Sequence, residues 1–223
     1  MDCEEITARL ARLDTACLCD ADKALGLGLR AMDAGMRPMR TGLKLVGRAH
    51  TVRCRDDFLT VIKALADAAP GEVIAIDSQG STKALTGELF PTEALRKGLA
   101  GIVNDGPCRD TAAVRAMDLP YYARSITCVP GTTNQLGETQ IAIRCGGVEV
   151  RPGDLLFGDD DGVVAATEEI FAGLIPRAEE IRQQEEQLLK GMAAGRSLLE
   201  MLNFDEHCAK IRAGAESALE FRI

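Results

Sequence analysis

Two short segments, residues 72–77 (EVIAID) and 101–104 (GIVN), are almost wholly apolar. Strands of that kind are buried on both faces, and a sheet covered on both sides is joined by helical crossovers. Between them lie a polar Gly-rich loop, SQGSTKALTGEL, and a helix started by Pro91. Strand, loop, helix, strand is α/β alternation. Upstream, Lys44 to Cys54 is Val-rich and partly alternating, which predicts a further strand. Phe58 to Ala68 has helical spacing and ends at Pro70-Gly71. Leu13 to Leu25 reads as a helix with Asp14 as its N-cap and Gly26 as its stop.

After Pro120 the pattern becomes more antiparallel. Short strands are expected at residues 121–123, at 139–143 and, behind the Gly146-Gly147 turn, at 148–150. Two more, 154–157 and 162–166, flank the acidic turn Gly158-Asp159-Asp160-Asp161. Glu168 opens a long charged helix to about Ala194. No repeat or linker divides the chain, so residues 1–223 are expected to form one mixed α/β domain with a C-terminal helical arm over about 168–223.

Charge and composition narrow the function. With 26 Lys+Arg against 34 Asp+Glu the net charge is −8, which disfavours a phosphate-backbone binder. Six Phe, two Tyr and no Trp supply little stacking surface for bases, so no nucleic-acid partner is expected. No run of 18 apolar residues is present, and the start, Met1-Asp2-Cys3-Glu4-Glu5, has neither a basic nor an apolar leader segment. The expected location is cytoplasmic, with no membrane partner. The eight cysteines show no C-x-x-C spacing and read mostly as small reduced core residues. Gly26-Leu27-Gly28 lacks the third Gly and the preceding strand of a dinucleotide-binding turn.

Only two histidines are present, His50 and His207, and neither has a partner at metal or triad spacing. Both read as structural, so acid and base work falls to carboxylates, Lys, Tyr or metal-bound water. The richest segment is AGIVNDGPCRDT, residues 100–111, a buried strand running into a Gly-Pro turn that ends in Arg109-Asp110. Ligands of α/β sheets gather at such strand ends. A second loop, Gly80 to Phe90, ends in Gly87-Glu88-Leu89-Phe90 at a helix start, where free backbone amides can hold an anion. A plainer reading stands beside this one: Asp110 caps the helix beginning near Thr111, Glu88 answers the helix dipole, and Arg109 is simply solvated. Cys108 beside Arg109 has no evident base partner that would make it a nucleophile.

Gly87-Glu88-Leu89 followed by Asp105-Gly106-Pro107-Cys108-Arg109-Asp110, with twenty residues between Glu88 and Arg109, carries a resemblance. It extends through GRAHTVRC (47–54), PGEVIAID (70–77), GLAGIVNDG (98–106) and VRPGDLLFGDDDGVV (150–164). The sequence resembles the family that joins class II 4-hydroxy-4-methyl-2-oxoglutarate/4-carboxy-4-hydroxy-2-oxoadipate aldolases to the regulator of ribonuclease E activity A-like proteins. The resemblance implies a three-layer β/β/α swivelling fold, phosphohistidine-domain-like, assembled as homotrimers or homohexamers with sites at subunit interfaces. It implies a Mg²⁺ or Mn²⁺ ion holding pyruvate, with Asp110 as direct ligand and Glu88 acting through water. Arg109 would contact the carbonyl and enolate oxygen, and the Leu89 and Phe90 amides, after Gly87, would cradle the carboxylate. An acidic residue from a neighbouring subunit's C-terminal helix, Glu185 or Glu186, would join the water shell, although a long charged helix equally reads as a packing helix. Two positions depart from the family pattern: Glu88 stands where many aldolases have Asp, and Ala113 where many have an acid.

The function expected is therefore a metal-dependent lyase that cleaves a 4-hydroxy-2-oxo acid to pyruvate, with oxaloacetate decarboxylation as a side activity. The alternative is a non-catalytic interaction protein resembling the ribonuclease regulator, whose members are generally shorter and lack the C-terminal arm. A Schiff-base mechanism would fall to Lys83, for which no desolvated pocket is evident. A methyltransferase finds no support in the Gly pattern, and Arg124 is a further candidate for binding an anionic substrate.

Overall fold

The computed structural model describes residues 1 and 3–222, the Cys3 side chain excepted. One nine-stranded sheet organises it. The strands are β1 (Arg30–Ala31), β2 (Arg37–Pro38), β3 (Leu45–Arg53), β4 (Glu72–Asp77), β5 (Gly101–Cys108), β6 (Tyr121–Ile126), β7 (Glu138–Thr139), β10 (Leu155–Gly158) and β11 (Val163–Ala166). Their order is β1-β11-β10-β3-β4-β5-β6-β2, with β7 on β3. The centre, β3-β4-β5-β6, is parallel, and β10, β11 and the short edge strands are antiparallel. A separate hairpin joins β8 (Ile143–Cys145) to β9 (Val148–Val150).

Alternation of side chains assigns the layers. Ile74 and Ile76 of β4, with Val52 and Ile102, face α3 (Leu59–Asp67), α4 (Leu89–Lys97) and α5 (Thr111–Ala116). Val73 and Ala75, from the same strand, face the other way and pack with Val103, Leu156, Ile143 and Val150, so that the β8-β9 hairpin and the curled antiparallel strands form the second β layer. This is the expected β/β/α arrangement. A third cluster lies outside β10 and β11, whose Leu155, Phe157 and Val164 are covered by α1 (Cys3–Leu10), α2 (Thr15–Leu25) and the start of α6 (Glu168–Ala193). Asp14 caps α2 by accepting from the Cys17 amide at 2.7 Å, and Gly26 ends it at φ 65°.

Several expectations are corrected. The predicted Gly-Pro turn after Asn104 is strand: β5 runs on to Cys108, with a register shift against β6 between Asn104 and Pro107. The strand expected at 139–143 is split between β7 and β8 because Gln140 takes a positive φ of 56°. Helix α4 begins at Leu89, two residues before Pro91, which occupies its first turn, where Pro is tolerated. The C-terminal helical arm is present as expected, and its first half is part of the core through Phe171, Leu174, Ile175 and Ala178 of α6. Beyond α6 a 3₁₀ turn (Leu198–Met201) and α7 (Phe204–Arg212) follow. No helix among the described residues is long and apolar enough to cross a membrane.

Candidate active site

The site is built where the segment before α4 meets the end of β5. Thr86 and Cys108 form an isolated parallel bridge, and the Arg109 amide donates to the Thr86 carbonyl at 3.1 Å. The two motifs, twenty residues apart in sequence, are thereby brought side by side.

Asp110 adopts φ 55° and ψ 36°, the left-handed region, and its side chain makes no capping bond to α5. The N-cap reading of Asp110 is overturned. A residue held at positive φ cannot aim its carboxylate along the helix it precedes, and Asp tolerates this conformation better than most residues. Its Oδ2 instead accepts from the Glu88 amide at 3.2 Å and lies 3.4 Å from Arg109 Nε. Gly87 makes this approach possible. A Cβ there would sit 3.1 Å from Arg109 Cγ and Nε and would collide with Asp110 Oδ2. Close backbone approach is one of the uses of glycine.

The Arg109 and Asp110 side chains are 41% and 38% exposed, so both reach solvent and a ligand from it. Glu88 sits at the start of α4 with no side-chain cap bond and is exposed. The Phe90 amide is turned onto the Gly87 carbonyl at 3.2 Å, whereas the Leu89 amide opens the helix, where donors have no intrahelical acceptor. The Leu89 side chain is 74% exposed, and with Phe58, Ile62 and Phe90 it lines a 380 Å³ apolar groove between α3 and α4.

Among the described residues, no group of three or more His, Cys, Asp or Glu is placed to hold a metal by side chains alone. The donor set at Asp110 nonetheless suits a hard divalent cation. Its Oδ1 accepts no hydrogen bond among the described residues, and Mg²⁺ characteristically uses one or two carboxylates and keeps several waters.

The remaining candidates fall elsewhere. Glu185 Oε2 lies 3.7 Å from Cys17 Sγ on α2, and Glu186 pairs with Arg182 at 3.1 Å on α6 itself, so within one chain both are engaged away from Asp110. Arg124 is held by Asp105 and, at 2.9 Å, by Asp33. Lys83 is half-buried, its amide bound to Ser81 Oγ at 3.0 Å. Burial pushes the Cys108 thiol up, the opposite of an activated nucleophile. His50 is buried against Glu72 at 3.1 Å, and His207 meets Ser217 at 3.0 Å. Motif reading passed over Thr86 and Asn104, both fully buried beneath the site. The Asn that ends the apolar run Gly101-Ile102-Val103 was the available signal.

Comparison with known proteins places the chain in a family. The family model described as RraA-like, Aldolase/RraA, matches residues 15–165. A protein of Halalkalibacterium halodurans named "Putative 4-hydroxy-4-methyl-2-oxoglutarate aldolase" is 38% identical over 153 residues, 68% of this chain and 71% of that one. Streptomyces coelicolor RraAS2, described as an unusual member of the RNase ES inhibitor RraA family, superposes with a TM-score of 0.71 at 29% identity, covering 83% of this chain and 96% of its own. The RNA-processing inhibitor RraA from Thermus thermophilis gives 0.62 at 30% identity over 67% of this chain and 92% of its own. With two thirds of its length matched by that model, and with these relatives, the chain belongs to the RraA-like family.

Proposed function

We propose that this protein is a divalent-metal-dependent pyruvate aldolase, a lyase that cleaves a 4-hydroxy-2-oxo acid and decarboxylates oxaloacetate as a side reaction. The observation that carries the reading is the convergence of Gly87-Glu88 with Arg109-Asp110, a half-exposed guanidinium beside a carboxylate with a free oxygen. The similarity to a relative named as an aldolase supports it.

In the retro-aldol step the 4-hydroxyl proton leaves, the C3–C4 bond breaks, and its electron pair passes into the C2 carbonyl to give the pyruvate enolate. A proton added at C3 completes pyruvate, and the other fragment departs as a carbonyl compound. Loss of CO₂ from oxaloacetate gives the same enolate. Arg109 is positioned to bind the C2 oxygen, where charge develops, and such donors stabilise the transition state more than the ground state. The Leu89 amide offers the pyruvate carboxylate a donor, with the Phe90 amide behind it if its 3.2 Å bond to Gly87 opens. Glu88, exposed beside Arg109-Asp110, would hold a water and accept the hydroxyl proton through it. Asp110 would hold Mg²⁺ or Mn²⁺ directly and Glu88 through water; when bound, the ion supplies Lewis-acid stabilisation of the developing enolate oxygen.

In this reading the protein is a cytoplasmic homo-oligomer, trimer or hexamer, in which Glu185 or Glu186 of a neighbouring subunit completes the water shell. The whole chain works as one domain. The RraA-named structures favour a second reading, a regulator that binds a ribonuclease, which a pull-down recovering that enzyme would reveal.

The deciding experiment follows pyruvate release from oxaloacetate and 4-hydroxy-4-methyl-2-oxoglutarate with EDTA and after adding back Mg²⁺ or Mn²⁺. Activity should vanish with chelation and return with metal. Arg109→Ala should lower turnover about a hundredfold or more, as loss of an oxyanion donor does. A folded variant with unchanged turnover would overturn the assignment.

A further inference from the structure

Segment 84–88 reaches the end of β5 without a continuous strand ladder. Its pairing is discontinuous: isolated bridges join Ala84 to Pro130 and Thr86 to Cys108, with backbone bonds from the Leu85 amide to the Pro107 carbonyl and from the Arg109 amide to the Thr86 carbonyl, and β5 itself is irregular between Asn104 and Pro107. Such irregularities re-aim the residues that follow, which here are Arg109 and Asp110. Backbone pairing this sparse leaves a part for side-chain bonds in fixing how far Gly87-Glu88 stands from Arg109-Asp110.

Three buried polar side chains meet at this point: Asn104 is 0% exposed, and Thr86 and Tyr121 are each 2%. Asn104 Nδ2 donates to Thr86 Oγ1 and to the Pro107 carbonyl, both at 3.0 Å. A carbonyl only accepts, so the chemistry itself fixes which end of the amide is nitrogen. Thr86 Oγ1 in turn shares a hydrogen bond with the Tyr121 hydroxyl. The Pro107 carbonyl also receives the Leu85 amide at 3.4 Å, and the Thr86 carbonyl receives the Arg109 amide. Each segment of the site thus begins one residue beyond the bridge that Thr86 makes: Gly87 follows Thr86, and Arg109 follows its bridge partner Cys108. Among the described residues Asn104 Oδ1 is buried without a partner, whereas Asn104 Nδ2, Thr86 Oγ1 and the Tyr121 hydroxyl are paired. Buried polar groups are costly to leave unpaired, so these bonds favour one arrangement of the three side chains.

We infer that Asn104, Thr86 and Tyr121 form a positioning cluster that sets the spacing between Gly87-Glu88 and Arg109-Asp110. The inference rests on the proposed site for its catalytic consequence and on the buried hydrogen bonds for its geometry. These residues touch no substrate; they act through the backbone of Thr86 and Cys108.

The test compares Thr86→Val, which keeps the shape but removes the hydroxyl, with Thr86→Ser, which keeps it, in the full chain. Tyr121→Phe serves as a second variant that only removes atoms, should Thr86→Val fail to fold. Amide hydrogen exchange reads the geometry without reference to activity. In Thr86→Val and Tyr121→Phe the Arg109 amide should exchange about tenfold faster or more, with Thr86→Ser within about threefold of the parent and the amides of β10 unchanged. With oxaloacetate, kcat should fall about tenfold in the same variants with KM within about threefold, and Thr86→Ser should restore it. If the parent protein turns over no oxo acid, the proposed function fails while the exchange comparison still decides the cluster. Unchanged Arg109 exchange in folded Thr86→Val and Tyr121→Phe would overturn it.

Discussion

Gly87 and Asp110 make opposite demands on the backbone and meet at one point. Gly87 supplies the missing Cβ that lets Asp110 Oδ2 approach the Glu88 amide, and Asp110 takes the left-handed conformation that turns its carboxylate away from α5. Gly87→Ala should therefore displace Arg109 and Asp110 together. We expect turnover of oxaloacetate to drop by about tenfold or more for a shift of this kind, since misplacement of about 1 Å can cost far more. Asp110→Asn separates site from scaffold. Asn tolerates the left-handed region as Asp does, so urea unfolding should change by less than about 0.5 kcal/mol, as for substitutions away from packing features. The neutral amide should nonetheless abolish metal-dependent pyruvate release and Mn²⁺ binding. An Asp110→Asn protein that retained both would remove Asp110 from the site.

At the scale of elements, α3 is secured from outside its own sequence. Its nominal N-cap, Phe58, offers no side-chain cap, and the buried Asp57 does the work instead. Asp57 Oδ1 accepts from the Leu59 amide at 3.0 Å, while Oδ2 accepts from Thr132 Oγ1 at 2.7 Å and from the Asn134 and Gln135 amides at 2.6 and 3.1 Å. Desolvation pushes this carboxyl up, but the four hydrogen bonds outweigh it and hold it below its usual range. Because the folded value lies below the unfolded one, the stabilisation is complete above about pH 4 and is lost as the pH falls through the folded value. Asp57→Asn should cost about 1–3 kcal/mol at pH 7 in urea unfolding, as loss of bonds to a charged acceptor does. The gap between parent and variant should close below pH 4, and a gap independent of pH would show that the charge is not what matters. The same element shows what a sequence can reveal. The helix itself was legible from its spacing, and the parallel strands from their apolar runs, because both are set by local periodicity. The bond from Asp57 to residues 132–135 was not, since it spans more than 70 positions and carries no periodic mark. For the same reason Arg109-Asp110 stood out by motif, whereas the extension of β5 to Cys108 did not, because Gly106-Pro107 is ordinarily turn chemistry. Here Gly106 instead admits Ser78, whose Cβ would lie 2.7 Å from a Cβ at that position.

Across the whole molecule, α6 belongs to two different structures. Its first half closes the third core cluster, with Phe171, Leu174 and Ile175 wholly buried against Leu155, Phe157 and Val164. Its second half carries Leu189 and Met192 exposed, and the chain that follows packs on it at Gly191. Leu188 and Met201 are buried there, and Met201 Sδ would lie 2.7 Å from a Cβ at Gly191. Leu202 bridges Phe221, and Asn203 binds the Glu220 amide at 2.8 Å, so the tail is tied mostly to itself. Stability should accordingly divide at the middle of this helix, in the way that cooperative units divide other proteins. Phe171→Ala should cost about 3–5 kcal/mol of global stability, the range for removing a fully buried ring. Met201→Ala should leave the main unfolding transition nearly where it is and instead accelerate amide exchange between residues 188 and 222. Under the proposed function the division bears on catalysis as well, because Glu185 lies between the buried Ala178 and Leu188 of α6, and its Oε2 is 3.7 Å from Cys17 Sγ. Glu185→Gln and Glu186→Gln should then separate cleanly: the one that completes the site lowers pyruvate release at unchanged stability, and the other leaves both alone. A chain ending at residue 194 should keep activity, since it retains both acids and the core half of the helix; loss of activity in that chain, still folded, would move the lent group into the tail.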